Sequence, residues 1–175
     1  MLLPVARTRD EAHLYMDLNP CAECSSIDVT WKHAVVEADG ELGSAYFGQC
    51  PGCDTERDFV FRLPEREYVA AQFPNFGGPE PSRLLDAGEW LWVSDLTASN
   101  VPTDNPAGER QALTIATRAV AEVIKFIPAG EEQVPDEAFW TERGRGVRSA
   151  EPGRFSRDRL QVVQDTYQEL AGQVQ

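Results

Sequence analysis

Four cysteines carry the strongest chemical signal in this sequence. Two residues separate Cys21 from Cys24 and Cys50 from Cys53, and 25 residues lie between the two pairs. A two-residue gap lets both thiolates of a pair face one point, so two such pairs can place four sulfurs about 2.3 Å from a tetrahedral metal. Thiolate donors in that geometry select zinc, or iron in a rubredoxin-like site. We therefore predict one structural zinc ion, with iron as the less favoured metal.

Redox chemistry is the alternative use of these thiols, either as reactive dithiols or as two disulfides. A thioredoxin-like pair normally occurs singly in a βαβ setting, which this sequence does not suggest. The N-terminal segment does not read as a signal peptide, because acidic residues arrive at Asp10 and Glu11 without a preceding basic and apolar pattern. No apolar stretch is long enough to span a bilayer. We expect a cytoplasmic protein, where paired cysteines bind metal more often than they form structural disulfides.

Short strands are predicted around the cysteine pairs. Thr8 and Glu11 have the spacing of a capping box and predict a helix over residues 9–18. The dipeptide Asp39-Gly40 is typical of a tight hairpin turn. β-branched and aromatic residues on both sides of it indicate three antiparallel strands, at residues 27–37, 42–49 and 57–63.

Residues 21–63 resemble a zinc ribbon, with the order knuckle, hairpin, knuckle, strand. Zinc ribbons often place Gly directly after the second cysteine of each knuckle, where a positive φ is needed. Ser25 and Asp54 stand at those positions here, and Asp tolerates that conformation better than Ser does. The resemblance implies a metal site but no particular activity, because zinc ribbons serve nucleic-acid-binding, protein-binding and architectural roles.

The rest of the chain is predicted to be mostly helical. Residues 64–82 are rich in Pro and Gly and are interpreted as a connector. Helical spacing of apolar residues and capping signals predict helices at 82–99, at 105–127, from 136 and from 156. The predicted fold is α+β, with an N-terminal helix and three-stranded zinc-ribbon module at 1–63 and a helical subdomain at 83–175.

An arginine cluster lies in the C-terminal part. Residues 143–154 contain Arg143, Arg145, Arg148 and Arg154 together with four Gly or Pro residues, and are expected to be mobile. Arg157 and Arg159 extend the cluster. These cations can contact phosphate, nucleic acid or an acidic partner, or they can fold back on the protein's own acidic surface. No interleaved aromatics favour a nucleic-acid platform.

The net charge of −13 is unevenly distributed. Residues 1–64 carry 5 basic and 11 acidic side chains, residues 65–135 carry the same numbers, and residues 136–175 carry 6 and 7. An acidic body disfavours nucleic acid, whose affinity depends on Lys and Arg, and favours a basic protein partner. Solubility alone is the simpler explanation of the charge.

Catalytic residue patterns are not evident. His13 and His33 are the only histidines; His33 is expected either to support the sulfurs as a nearby donor or to lie on the surface. Ser94 and Ser156 have no histidine near them in sequence, so no nucleophilic triad can be assembled. The pair Gly77-Gly78 lacks the strand, lysine and helix of a phosphate-binding loop. We expect no enzyme and no small-molecule substrate.

The tryptophans are expected to be structural. Trp90, Trp92 and Trp140 are predicted to lie in the core, since aromatic side chains dominate core burial. An exposed tryptophan beside Phe73 or Phe76 would instead mark a partner surface.

Three helical runs resemble uncharacterised actinobacterial proteins: PEPSRLLDAGEWLWVSDL, AVAEVIKFIPAGEEQVPDEAFW and EPGRFSRDRLQVVQDTYQEL. The resemblance implies, as one expectation, an immunity protein or antitoxin encoded beside a secreted toxin. We predict a non-enzymatic zinc-binding protein that acts by protein–protein interaction, with a basic toxin as its most concrete partner. A transcription-associated nucleic-acid binder and a metal or redox enzyme are the alternatives.

Overall fold

A computed structural model describes residues 3–69 and 72–175 of the chain. The chain divides into two compact units, Met1–Gly78 and Pro79–Gln175. The connector predicted at 64–82 is therefore shared between the units, and its positions 70 and 71, like residues 1 and 2 of the predicted N-terminal part, lie outside the described residues.

The first unit contains one helix and one antiparallel sheet. Helix α1 spans Arg9–Leu18, and the Thr8 hydroxyl caps it by accepting the backbone N–H of Glu11, as the sequence predicts. The three strands follow in spatial order β1-β2-β3. They span Lys32–Ala38, Glu41–Gln49 and Glu56–Arg62.

The first strand begins later than predicted. Residues 27–31 precede β1 instead of belonging to it. In this segment the backbone N–H of Val29 donates to the carbonyl of Ile27 at 2.9 Å, and such a three-residue turn bends the chain out of the extended conformation. A prediction from β-branched side chains alone therefore makes the strand too long. The chain bends directly after the first cysteine knuckle, and the strand begins only after this bend.

The hairpin between β1 and β2 is confirmed at the predicted dipeptide. Asp39 and Gly40 both have positive φ, 53° and 79°, which is the requirement of a two-residue turn that matches strand twist. Ala38 pairs with Glu41 directly across the turn. The turn thus sets the register of the whole β1–β2 ladder.

The core of the first unit lies between α1 and one face of the sheet. Ala12 and Met16 of α1 are each 1 % exposed, and Phe61 of β3 is equally buried. The ring of Tyr15 lies edge-on to Phe61 with centroids 5.7 Å apart. This packing holds α1, which ends just before the first cysteine, against the strands that carry the second cysteine pair.

The second unit is helical. Helix α3 packs against α2 and α5, and α2 also packs against α4. The α+β fold class is confirmed. The helices α2 to α5 span Ala87–Ser99, Pro106–Ile124, Glu142–Ala150 and Arg157–Gln173, with short 3-10 helices at Asp136–Ala138 and Pro152–Phe155.

Helix α2 begins five residues after the predicted start. Ser82, at which the predicted helix begins, instead accepts the backbone N–H groups of Leu84 and Leu85 in a local turn. Asp86 is the N-cap, and it forms a reciprocal capping box with Glu89. The sequence contains this Asp-x-x-Glu signal, but the prediction assigned the start to the earlier serine.

The prediction of a mobile segment at 143–154 is wrong. Thr141 caps α4 by accepting the backbone N–H of Gly144, and the 3-10 helix follows directly. Gly144 and Gly146 weaken the intrinsic helix propensity of this segment. Tertiary contacts override that weakness, since Gly144 is buried and packs against α2.

The tryptophans divide between core and surface. Trp90 is fully buried and Trp92 is half-buried, in agreement with the prediction. Trp140 is 41 % exposed, so its assignment to the core is wrong. Its ring is tilted by 57° against that of Phe126, with the centroids 6.0 Å apart. In the part of the chain that the structure describes, no helix is both long and apolar enough to cross a membrane.

Candidate metal centre

The two cysteine pairs fold into turns with the same hydrogen bonds. The backbone N–H of Ser25 donates to the Cys21 carbonyl at 2.7 Å, and that of Asp54 donates to the Cys50 carbonyl at 2.9 Å. The N–H of Cys21 in turn reaches the carbonyl of Ser26, and that of Cys50 reaches Thr55, both at 2.9 Å. The two segments are therefore two copies of one knuckle.

Each knuckle closes on a residue in the left-handed conformation. Ser25 has φ of 61° and Asp54 has φ of 60°. These are the two positions at which the zinc-ribbon resemblance leads us to expect a positive φ. The turns thus form without glycine, at a cost in backbone strain that is larger for Ser than for Asp.

The four sulfurs converge on one point. The Sγ atoms of Cys21 and Cys53 are 3.5 Å apart, those of Cys24 and Cys50 are 3.4 Å apart, and all four lie within 4.8 Å of one another. Tetrahedral bonds of about 2.3 Å place sulfurs roughly 3.8 Å apart, so the cluster has the size of a four-thiolate metal site. The four cysteines are therefore placed to hold one metal ion, and their donor set fits zinc.

The strands and one glycine position the second knuckle against the first. Gln49 pairs with Glu56 at the ends of β2 and β3, which closes the turn that carries Cys50 and Cys53. A Cβ atom added at Gly52 would lie 3.0 Å from the Sγ of Cys24. Gly52 thus permits the close approach of the two knuckles that the sulfur cluster requires.

The centre has a buried and an exposed side. Cys21 is 3 % exposed and Cys50 is fully buried, whereas Cys24 is exposed and Cys53 is half-buried. The buried cysteines, Cys21 and Cys50, are the first cysteine of each knuckle. A metal bound here would have these two sulfurs on its protein side, and only the sulfurs of Cys24 and Cys53 would separate it from solvent.

The surroundings of the four sulfurs shift the pKa values of two of the thiols. Hydrogen bonds from the side chain and backbone of Thr55 lower the pKa of the Cys53 thiol to about 6. For Cys24, the backbone hydrogen bond from Ser26 favours the thiolate, but the neighbouring cysteines and desolvation outweigh it and raise its pKa to about 12. A divalent metal between the sulfurs would supply the positive charge that favours the thiolate form of neighbouring cysteines.

One contact at the centre is absent from the sequence interpretation. The Cys53 thiol donates to the Oγ1 atom of Thr55 at 3.2 Å. A metal-bound thiolate at Cys53 would instead accept from that hydroxyl, which would hold the ligand in place. His33, for which that supporting role was one expectation, lies on the surface with its Nε2 3.2 Å from the Ser44 hydroxyl. Only the position of Thr55, two residues after the last cysteine, signals its role.

Three arginines of the cluster contact acidic or aromatic groups of their own unit. Arg154 makes a two-pronged ion pair with Asp95, at 2.7 and 2.6 Å. Arg143 lies 3.5 Å from the Glu89 carboxylate. Arg148 stacks over two aromatic rings, with its guanidinium carbon 5.4 Å from Phe139 and 5.7 Å from Phe155.

The remaining arginines bond to carbonyl groups or remain exposed. Arg145 donates to the Trp140 carbonyl at 2.7 Å, and Arg157 donates to the Glu131 carbonyl. Arg159 has an exposed side chain. The described contacts distribute these guanidinium groups over several partners and do not gather them into one anion site, which agrees with the alternative that the cluster folds back on the protein's own surface.

The zinc-ribbon resemblance rests on the cysteine spacing, the order of the strands and the shape of the two knuckles. The resemblance of the helical runs to actinobacterial proteins, and the immunity role that it implies, stay predictions. Comparison of the chain with protein-family models, curated proteins and solved structures gives no match.

Proposed function

We propose that this protein is a non-enzymatic binding protein that holds one structural zinc ion and recognises a basic protein partner. The convergence of the four cysteine sulfurs carries the first part of this proposal. Four protein ligands complete a tetrahedral shell, so no position remains for a water or a substrate. Zinc bound there would tie the two knuckles together and contribute its binding free energy to folding.

The surface around the knuckles supports the second part. Five acidic side chains are exposed there, and we call this set the acidic knuckle surface: Glu23, Asp28, Asp54, Glu56 and Asp58. Ile27, between the first knuckle and β1, is 51 % exposed. A surface that combines carboxylates with exposed apolar area suits a basic protein, because opposite charges speed encounter and apolar contact adds affinity.

The most concrete version of the proposal is an immunity protein or antitoxin that covers a basic toxin. The net charge of −13 favours it. The same charge argues against the nucleic-acid alternative, since phosphate backbones are attracted by lysine and arginine. The engagement of Arg143, Arg148 and Arg154 within their own unit reduces the number of cations that such a role could use.

Metal analysis with thiol titration tests the zinc centre. We expect one zinc ion per chain of the purified protein and four thiols that react slowly until a chelator removes the metal. Less than stoichiometric metal with rapidly reacting thiols would favour the redox-enzyme alternative, and it would contradict the structural role.

Co-expression with the products of adjacent genes tests the partner. We expect a basic product to co-purify with the full-length protein and, for the immunity version, to lose its toxicity. Association should weaken as salt is raised, because exposed charges are screened. An electrophoretic mobility shift assay with DNA or RNA at low salt tests the nucleic-acid-binding alternative. Salt-sensitive binding of nucleic acid, in the absence of any protein partner, would overturn the proposal.

Matched charge variants locate the interface. The triple substitution Glu23→Gln, Asp28→Asn and Asp54→Asn should weaken association at least about tenfold, the effect of losing roughly 1.4 kcal/mol. The control makes the same charge change on exposed residues of α5, with Asp158→Asn, Asp165→Asn and Glu169→Gln. Equal effects of the two triple variants would show that net charge, and not the acidic knuckle surface, drives the association.

A further inference from the structure

A pocket of about 500 Å³ opens on the first unit at the beginning of α1. Its wall includes the first turn of α1, parts of β2 and β3, and residues of the segment that follows β3. The volume is within the range of small-molecule sites in proteins, roughly 300–1,000 Å³. The metal ligands do not line it, so the pocket is distinct from the sulfur cluster.

A buried tyrosine presents an unused polar group to this pocket. Tyr46 of β2 is only 4 % exposed and lines the pocket. Its hydroxyl makes no hydrogen bond to any residue within 3–69 or 72–175, and it is not sealed from solvent. Because this hydroxyl reaches solvent and bonds to none of these residues, it is available to a ligand.

Both histidines of the chain flank the same tyrosine. The ring of His33 lies 5.0 Å from that of Tyr46, and the ring of His13 lies 5.3 Å from it in an edge-on arrangement. His33 also lines the pocket, with its Nε2 next to the Ser44 hydroxyl at 3.2 Å. The polar part of the pocket therefore includes the hydroxyl groups of Ser44 and Tyr46 and the imidazole of His33.

A cation without an acidic partner stands at the same place. Arg9, the first residue of α1, is exposed and lines the pocket, and its polar side-chain contact is the Nε2 of His13 at 3.5 Å. No carboxylate of the described residues lies within ion-pair distance of it. The positive end of the α1 dipole is at this residue as well, and it favours an anion within the first turn.

The other charged groups of the pocket wall are mostly neutralised. Arg7 pairs with the buried carboxylate of Glu11 at 2.8 Å, and Arg62 pairs with Glu41 at 2.9 Å. Glu67 is the acidic residue of the wall. Arg9 therefore supplies a local positive charge at the α1 side of the pocket, in a chain whose net charge is −13.

The remaining wall is apolar and aromatic. Phe61, Leu63, Pro64 and Tyr68 line it. The ring of Tyr68 is itself held close to the backbone, because a Cβ atom added at Gly78 would lie 2.2 Å from its Cζ. A bare inorganic ion would leave this apolar surface uncovered, whereas an organic ligand would bury it.

We propose that this pocket binds a small organic anion. Its phosphate or carboxylate group would accept hydrogen bonds from Arg9 and from the Tyr46 hydroxyl, and its apolar body would pack on Phe61 and Tyr68. The site goes beyond the proposed zinc and partner functions, since it uses neither the sulfur cluster nor the acidic knuckle surface.

Titration of the zinc-loaded full chain, followed by amide and histidine NMR signals, tests the proposal with four probes. Phenyl phosphate and benzoate carry the two anionic groups on the same ring, phenol lacks the charge, and inorganic phosphate lacks the ring. We expect saturable shifts at Tyr46, Ser44 and His33 with at least one of the two aromatic anions, and the stronger of the two identifies the anionic group. Binding of neither, or equal binding of phenol or of inorganic phosphate, would overturn the proposal.

Two variants assign the contacts. Arg9→Ala should weaken binding of the preferred anion about tenfold or more, and Tyr46→Phe, which removes only the hydroxyl, about five- to tenfold, as expected for hydrogen bonds to a charged group. Arg159→Ala makes the same charge change at an exposed position of α5 and should leave the affinity unchanged. If the Arg9→Ala and Arg159→Ala proteins bind the anion with equal affinity, and both give the NMR spectrum of a folded protein, the assignment of the pocket is wrong.

Discussion

The carboxylate of Asp86 accepts two hydrogen bonds from Thr141, one from its backbone N–H at 2.7 Å and one from its hydroxyl at 2.8 Å. The other carboxylate oxygen accepts the backbone N–H of Glu89 at 2.9 Å. Asp86 and Thr141 are the N-caps of α2 and α4. One fully buried carboxylate therefore joins the beginnings of two helices that lie 55 residues apart in sequence.

Replacing that carboxylate should destabilise the second unit strongly. Asp86→Ala removes the cap of α2 and leaves the N–H and hydroxyl of Thr141 without their acceptor, so we expect a loss of about 3 kcal/mol in the free energy of unfolding. Urea unfolding followed by tryptophan fluorescence measures it. Asn105→Ala, which removes the exposed single cap of α3, is the control and should cost about 1 kcal/mol. Equal losses in the two variants would contradict the joining role of Asp86.

Gly144 should tolerate no side chain. A Cβ atom there would lie 2.0 Å from an oxygen of Asp86, whereas a Cβ atom at Gly146, in the same helix, would meet nothing within 4 Å. Gly144→Ala should therefore cost about 2 kcal/mol or more, since it must displace a buried network. Gly146→Ala should stabilise α4 by up to about 1 kcal/mol through helix propensity. Thermal unfolding of the two variants compares them directly, and a stabilising effect at both positions would show that α4 and Asp86 are not in close contact.

Loss of one thiolate should unfold the cysteine module instead of abolishing a reaction. Cys50→Ser removes a buried ligand, and metal binding contributes folding free energy. We therefore expect the NMR amide signals of residues 21–63 to move to the chemical shifts of an unfolded chain, and the bound zinc to be lost. Addition of a strong chelator to the parent protein should give the same spectrum. Ala22→Ser, at an exposed knuckle position, controls for the introduced hydroxyl and should retain zinc. A folded, zinc-loaded Cys50→Ser protein would refute the structural role of the metal.

Glycine should relieve strain at the knuckle ends. Ser25 and Asp54 both have φ near 60°, a conformation that costs a non-glycine residue about 1–2 kcal/mol and costs Asp less than most. Ser25→Gly should therefore stabilise the first unit by up to about 1 kcal/mol, and Asp54→Gly should stabilise it less. Gly40→Ala, where φ is 79° and no atom crowds the added Cβ, is the reverse test and should be destabilising. Denaturation of the zinc-loaded proteins measures all three; destabilisation by Ser25→Gly would show that its side chain, and not its backbone, matters.

Glu89 should give the second unit a distinctive pH dependence. Burial raises its pKa above the ordinary value of 4.5, against the opposing effects of the Asp86 N–H and of Arg143. The folded state thus holds the proton more tightly than the unfolded state does, and the contribution of Glu89 to stability falls as pH rises from about 4.5 through the raised pKa. Relative to the parent, Glu89→Gln should gain stability across that interval. Unfolding free energies measured at several pH values test this, and parallel curves for the two proteins would contradict it.

Local signals in the sequence were sufficient for the metal site and for most boundaries. The spacing of the cysteines predicts the ligand set, because a two-residue gap has few ways of directing two sulfurs to one point. Asp39-Gly40, Thr8 and Asn105 act within three or four residues of themselves, and the structure places a turn and two helix beginnings at them. Interactions over such short separations depend little on the rest of the fold.

The late starts of β1 and α2 reflect local turns, whereas the other errors fall where distant residues decide. Residues 143–154 look mobile in isolation because Gly and Pro lower helix propensity, yet α4 forms since Asp86 holds its first turn. The pocket beside Tyr46 was not predicted either, because Arg9, His33 and Tyr46 come from different elements that only the packing of α1 on the sheet brings together. The sequence by itself determined the four-cysteine centre, the hairpin and the acidic charge of this protein, all of which are local or compositional properties. The tertiary structure decided which carboxylates, arginines and hydroxyls become partners, because those contacts join residues that lie tens of positions apart and form only when the helices and strands pack.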